Sequence, residues 1–373
     1  MPFFNGYYID KTITLADHTS GYARCNRPCF TEMPDGRILA SYEVGAANVQ
    51  PSLCLGRYSP DKGYNWLSPF TIPETNNPVN YDIVPFIHDQ KFIYFYNDWT
   101  GYETNPFCSI GVKMTPDYFS TVNDGGLLDK TGKSSYITCG MNMITLQNGA
   151  HVFPCSYDAG GNSGAWRCFL YWCAADRDPY TASNWTITPD APLGSADHLD
   201  EPTCVEIAGS KVLVLFRTGT GVHFKCIWDW ATKAWGSTVN TPLLCPSVYA
   251  SGAPAYLRRV SWNPNLVLVS YDRSPLYRRP LVISSTTDDG LTWGDYSVLE
   301  DSQTVNISYP ALQVLSDGSI LAGWWYSVSG SDEETHMAII QNRNVVVTPP
   351  SGTHWGKGII RASMFSQGDV LEA

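Results

Sequence analysis

The sequence predicts an all-β fold: a six-bladed β-propeller of four-stranded antiparallel blades. Three observations carry this. The first is composition, with 22 Tyr, 13 Trp, 31 Gly and 25 Pro in 373 residues and only 16% charged residues. Such a chain is turn-rich and β-forming, neither a helical bundle nor disordered. The second is a series of tight polar turns between apolar runs, at Asp35-Gly36, Asp89-Gln90, Asn148-Gly149, Ala208-Gly209, Asn263-Pro264 and Asp317-Gly318, spaced by 54, 59, 60, 55 and 54 residues. Asp-Gly between apolar runs, as in "CFTEMPDGRILASYE" and "YPALQVLSDGSILAGWWY", signals a hairpin. The third is an acidic turn that occurs twice, as "SPDKGYNW" (59–66) and "TTDDGLTW" (286–293).

Weaker copies of the acidic turn lie around Asp117, Asp176 and Asp229. With Asp61 and Asp288 they are spaced by 56, 59, 53 and 59 residues. Two independent series with one period define a repeat, and a unit of this length holding four short strands is a propeller blade. Six hairpin turns give six blades. In the acidic turn the Asp caps turn amides, the Gly takes a dihedral other residues resist, and the Trp packs under the next strand. Its role is structural. Runs such as "KVLVLF" and "NLVLVSY" have strand length, and none approaches the ~18 apolar residues of a membrane helix, so no membrane insertion is expected. The N-terminal strand of about ten residues and the C-terminal "NRNVVVTPP" are expected to share one blade and close the ring, which removes free edges. No linker is visible, and residues 1–373 read as one domain.

The net charge of -11 excludes a general nucleic-acid binder, which needs a basic face. The start, "MPFFNGYYIDKTITLADH", has neither the basic residues nor the apolar stretch of a secretion signal. The 11 Cys show no C-x-x-C pair and no His/Cys metal spacing. No metal and no cofactor are expected. Most of the cysteines read as buried free thiols in strands, with Cys25 and Cys29 a candidate disulfide.

The acidic turn S-x-D-x-G-x-x-W is the Asp-box, and on it the chain resembles the sialidase (neuraminidase) superfamily of six-bladed propellers. Four other stretches carry the resemblance in the family's order, over residues 27–318. "NRPCFTEMPDGRILASYE" is similar to the segment with the first catalytic Arg, here Arg27. "DEPTCVEIAGSKVLVLFR" is similar to the segment with a catalytic Glu and a second Arg, here Glu201 and Arg217. "RRPLVISSTTDDGLTW" opens on the third Arg, here Arg278; Arg279 is adjacent, and the spacing to Trp293 selects Arg278. "ISYPALQVLSDGSI" holds the position of the nucleophilic Tyr, here Tyr309. The resemblance implies a retaining exo-glycosidase that removes a terminal sialic acid or related acidic sugar from glycans. It also implies an extracellular, virion or cell-surface setting.

Blade geometry supplies a separate reading of the same residues. Successive strands alternate in direction, so every first-strand start and every second-strand end lies at one mouth of the ring. Counted from the hairpin turns, Arg27, Asp82, Glu201 and Tyr309 are first-strand starts, Glu43 and Arg217 end second strands, and Arg278 opens a third strand at the same mouth. The chemistry suits a sugar with a carboxylate on its anomeric carbon. Three guanidiniums hold such a group by charge-assisted bonds. A neutral Tyr nucleophile avoids the repulsion a carboxylate would meet, and a neighbouring Glu takes its proton; the resemblance assigns these roles to Tyr309 and Glu201. Sialidases are an exception to the two-carboxylate scheme of other glycosidases. An inter-blade tie for Arg27, a plain salt bridge for Glu201 with Arg217 and inner-strand packing for Tyr309 are the competing structural roles.

One departure stands out. The family places its acid Asp about 25 residues beyond the first Arg, but "EVGAANVQPSLC" (43–54) holds no Asp. Asp82 is the first candidate for the general acid and Glu43 the second. Two other functions remain open: a lyase or uronate-acting enzyme using His198, Tyr309 and Arg217, and a non-catalytic glycan-binding propeller. His88 and His151 fall at hairpin turns, the wrong end of the ring for catalysis.

Overall fold

The computed structural model describes residues 7–17, 24–45, 53–73, 80–98, 108–117, 119–133, 136–160, 165–247, 252–302, 304–327 and 332–342. Their strands form six antiparallel sheets, each built from one repeat unit. The fold is a six-bladed β-propeller. The innermost strands are Arg24–Glu32, Asn80–His88, the pair Ile137–Cys139 and Ile144–Thr145, Asp200–Ile207, Tyr256–Trp262 and Ile307–Val314. Blade packs on blade in chain order round the axis, and the sixth meets the first. Each of the six hairpin turns read from the sequence joins a first strand to a second.

Second strands have a neighbouring blade on both faces. Ile38–Gly45 and His151–Asp158 are accordingly buried along their whole length. This is why they read as continuous apolar runs rather than alternating ones. Each buried Leu, Val or Phe there contributes roughly 1.5–3 kcal/mol. The outermost strands line the rim, and Asn123–Leu127 is half-buried to exposed throughout.

The N-terminal strand Tyr7–Ala16 completes the sixth blade, as expected, and pairs with Glu333–Asn342. The segment "NRNVVVTPP" starts where that strand ends, and its residues 343–350 lie outside the described residues. The closing strand begins with polar residues, "EETH", and its apolar part, Met337 to Ile340, is fully buried between Tyr7–Ala16 and Ile320–Ser327.

The acidic turns are built alike. In the first blade Asp61 accepts the Asn65 amide at 2.8 Å and Ser59 Oγ accepts the Gly63 amide at 2.8 Å. In the fifth, Asp288 accepts the Thr292 amide at 2.9 Å and Thr286 Oγ1 the Gly290 amide at 3.1 Å. Gly63 and Gly290 have φ of 98° and 80°, the left-handed region that glycine enters without penalty. They also lie against the second strand of the preceding blade. A Cβ on Gly290 would sit 2.6 Å from Leu213 Cδ2, and one on Gly63 3.1 Å from Leu321 Cδ2. Trp66 and Trp293 are both half-buried against the core beside that same neighbour. The copy at Asp117 repeats the pattern, with the Thr121 amide at 2.7 Å, and Asp229 accepts the Thr232 amide at 3.0 Å. In the third blade the turn is capped by Asp178, which accepts the Tyr180 amide at 3.1 Å, and not by Asp176.

Among the described residues the 11 cysteines form no disulfide, and ten are buried. Cys25 and Cys29 share the extended strand Arg24–Glu32. At ~3.3 Å per residue their Cα atoms stand too far apart for the ~4.4–6.8 Å a disulfide spans.

Candidate active site

Four first strands share one irregularity, and it builds the site. Asn26 pairs with Glu43 and Cys29 with Ser41; Tyr81 with Asn97 and Val84 with Phe95. Likewise Asp200 pairs with Arg217 and Thr203 with Leu215; Ser308 with Trp325 and Ala311 with Gly323. In each case two residues of the inner strand face one of the next, which is a β-bulge, a device that bends the strand and re-aims a side chain. The first bulged residues are Arg27, Asp82, Glu201 and Tyr309. Three are followed by proline, Pro28, Pro202 and Pro310, which has no N–H to leave unpaired where the ladder breaks. The single residues opposite the bulges are Tyr42, Tyr96, Phe216 and Trp324, all buried aromatics. Arg27, Glu201 and Tyr309 have φ of 51°, 36° and 50°. Non-glycine residues held there are strained by about 1–3 kcal/mol each, and such strain gathers at functional sites.

The bulges bring distant residues into one cluster. Tyr309 donates its hydroxyl proton to Glu201 Oε1 at 3.1 Å. Arg217 donates an N–H to Glu201 Oε2, and Arg27 Nη2 stands 3.7 Å from Oε1. The Arg27 guanidinium lies 4.7 Å from the Tyr309 ring centroid, and that of Arg278 5.7 Å from it. Both are within the range of a cation–π contact. Trp325 meets the Tyr309 ring edge-on at 6.1 Å. Arg278 is steadied by a bond from its Nη2 to the Gly252 carbonyl at 2.9 Å.

Charge balance inside the cluster is uneven. Burial works against ionisation of Glu201, but the guanidiniums of Arg217, Arg27 and Arg278 outweigh it and hold its carboxyl below the usual range. Glu201 is thus an ionised acceptor facing a phenol. Beside it, Asp200 is pushed upward by burial and by the charge of Glu201, with Arg217 opposing. Asp200 accepts a hydrogen bond from Ser156 Oγ at 2.9 Å.

Of the residues read from the sequence, Arg27, Glu201, Arg217, Arg278 and Tyr309 come together. Glu43 is buried, 3% exposed, in register with Asn26 beside the Arg27 bulge. Asp82 occupies the bulge of the second blade, but its side chain lies outside the described residues, as do residues 46–52 of the stretch without Asp. His198 is buried with Nδ1 3.1 Å from Asp197 Oδ2; among the described residues it makes no hydrogen bond or ion pair to Tyr309 or Arg217.

Asp272 was missed by the sequence reading. It ends the second strand of the fifth blade, as Arg217 ends that of the fourth, and it is fully buried. Burial pushes its carboxyl well above the usual range, against the pull of Arg278 and of Ser308. Both residues lie eight positions after the second residue of their hairpin turns, so the count that found Arg217 also reaches Asp272.

The family model for the BNR repeat-like domain matches residues 128–321, more than half of the chain. The chain belongs to the BNR repeat-like family. No curated protein matches its sequence. Among solved structures, this BNR repeat-like chain is similar to a protein of unknown function from Dyadobacter fermentans, with a TM-score of 0.72 and 14% identity over 90% of this chain and 99% of that one. It is similar to a Hadza microbial sialidase, with a TM-score of 0.68 and 14% identity over 88% and 68% of the two chains. It is also similar to the intramolecular trans-sialidase from Ruminococcus gnavus, solved with oseltamivir carboxylate, with a TM-score of 0.65 and 14% identity over 94% and 100%. At such identities the likeness shows a shared sialidase-type propeller fold.

Proposed function

We infer that this propeller is a retaining exo-glycosidase of sialidase type, acting on a terminal sialic acid or a related acidic sugar. The observation that carries the reading is the 3.1 Å hydrogen bond from the Tyr309 hydroxyl to Glu201, set among three arginines. Arg27, Arg217 and Arg278 hold the sugar carboxylate. Tyr309 Oη attacks the anomeric carbon while Glu201 takes the phenolic proton, so a C–O bond to Tyr309 forms as the glycosidic C–O bond breaks. The leaving oxygen needs a proton, for which Asp82 is the first candidate and Glu43 the second. Water then releases the sugar with its anomeric configuration retained. A hydroxyl of the sugar itself would instead give an intramolecular product, the reaction named for the Ruminococcus gnavus enzyme.

The test is incubation with an α-sialoside, with NMR following the anomer first released. Tyr309→Phe and Glu201→Gln are expected to lower kcat/KM by roughly 10²–10⁴. Retention with both variants crippled supports the reading. Release of an unsaturated sugar from a uronate glycan favours the lyase. Saturable sugar binding with no cleavage favours the binding module, which the lack of Asp in residues 43–54 also favours.

A further inference from the structure

An axial cavity of about 500 Å³ opens at the hairpin end of the ring, opposite the mouth that holds Tyr309, and is lined from all six blades. Four charged residues line it: Glu32, Glu206, Arg258 and Arg259. Three of them are already matched. Glu32 pairs with Lys62 and accepts the Ser316 amide at 2.6 Å. Glu206 accepts the Gln147 amide at 2.8 Å. Arg259 bonds the Glu206 carbonyl, reaches Asn265 Oδ1 at 2.6 Å, stands 3.5 Å from Asp289 and stacks 3.6 Å from the Trp262 ring centroid.

Arg258 differs. Among the described residues its side chain makes one hydrogen bond, from Nη2 to Gln313 Oε1 at 3.0 Å, and no ion pair. A guanidinium carries five donors, and Arg258 lies on the cavity lining with one of them used among the described residues. Thr31, also on the lining, is 6% exposed, and its buried hydroxyl has no hydrogen-bond partner among the described residues. Arg258, Gln313 and Thr31 belong to blades five, six and one, which are consecutive round the ring, so they form one arc of the wall. A half-buried guanidinium with no ion pair among the described residues, on the same arc as an unused hydroxyl, is a donor set that a planar or tetrahedral oxyanion satisfies.

We propose that the axial cavity is a binding site for a small oxyanion, a carboxylate or phosphate group, held by Arg258 with Thr31 and Gln313 beside it. This site is independent of the mouth and of the chemistry inferred there. Calorimetric titration of the full chain with inorganic phosphate and, separately, with acetate tells the two groups apart. Arg27→Ala serves as the starting protein, so that anion binding at the mouth is weakened. One saturable site is expected for at least one of the anions. Adding Arg258→Met should weaken it at least tenfold, while Arg258→Lys keeps part of it. Equal binding with and without Arg258→Met, or no saturable binding at all, overturns the proposal. Should Arg258→Met fail to fold, a crystal of the unaltered protein soaked in selenate decides by anomalous density. A peak against Arg258 upholds the site; a cavity holding water alone overturns it.

Discussion

Arg27, Glu201 and Tyr309 each combine a left-handed backbone with a side chain in the cluster at the mouth. The two properties separate by mutation. Arg27→Gly and Arg27→Ala both remove the guanidinium, but glycine fits a φ of 51° and alanine does not. The glycine variant should therefore be more stable by about 1 kcal/mol in denaturant unfolding, with both inactive on sialosides. Asp272 gives a second residue-scale prediction. Its folded pKa is raised by burial, so the folded protein keeps a proton that the unfolded chain releases near pH ~3.9. Stability contributed by the neutral form is full below that value and falls as pH rises toward the folded pKa. Asp272→Asn removes this loss, so it should raise the melting temperature at pH 7 more than at pH 4; an equal shift at both values would contradict it. For the general acid, Asp82→Asn and Glu43→Gln are compared on natural and aryl sialosides. The true acid is the residue whose loss cripples the first and spares the second, because an aryl leaving group needs little protonation.

The acidic turns are elements that hold blade to blade rather than to substrate. Asp288→Ala removes acceptors for the Thr292 amide and hydroxyl, and should destabilise by about 1 kcal/mol, as loss of a side-chain cap does. Gly290→Ala adds both an unfavourable φ and a clash with Leu213, and should be the worse of the two in thermal unfolding. Neither should alter KM for a sialoside. Such turns were legible in the sequence because the chemistry is local: an acid, a glycine and a hydroxyl residue within a few positions. So were the hairpins. Asp178 replaces Asp176 because the third-blade loop is longer, and spacing alone did not say which acid caps it. The bulges left a fainter trace. Arg-Pro, Glu-Pro and Tyr-Pro recur at nearly one offset from the hairpin turn, and proline inside a strand marks a broken ladder.

At the scale of the whole molecule, ring closure depends on pairing between Tyr7–Ala16 and Glu333–Asn342. Removing residues 1–16 leaves the sixth blade with an open edge, and a shift toward aggregates on size-exclusion chromatography is the expected result. The six blades and the mouth could be read from two interleaved periods, because a repeat fixes which strand ends share a side of the ring. The closing strand could not, since "EETHMAIIQN" looks less strand-like than the valine run after it. Asp272 also stayed hidden, because an acid at a strand end is ordinary until burial is known. The central claim is that Tyr309, held by Glu201 among three arginines, attacks the sugar. The most direct measurement is mass spectrometry of the protein treated with a 3-fluoro sialosyl fluoride, whose fluorine slows breakdown of a covalent intermediate. A sugar adduct on the peptide containing Tyr309, absent in Tyr309→Phe, is predicted. An adduct on another residue, or sialoside cleavage undiminished in Tyr309→Phe, would contradict it.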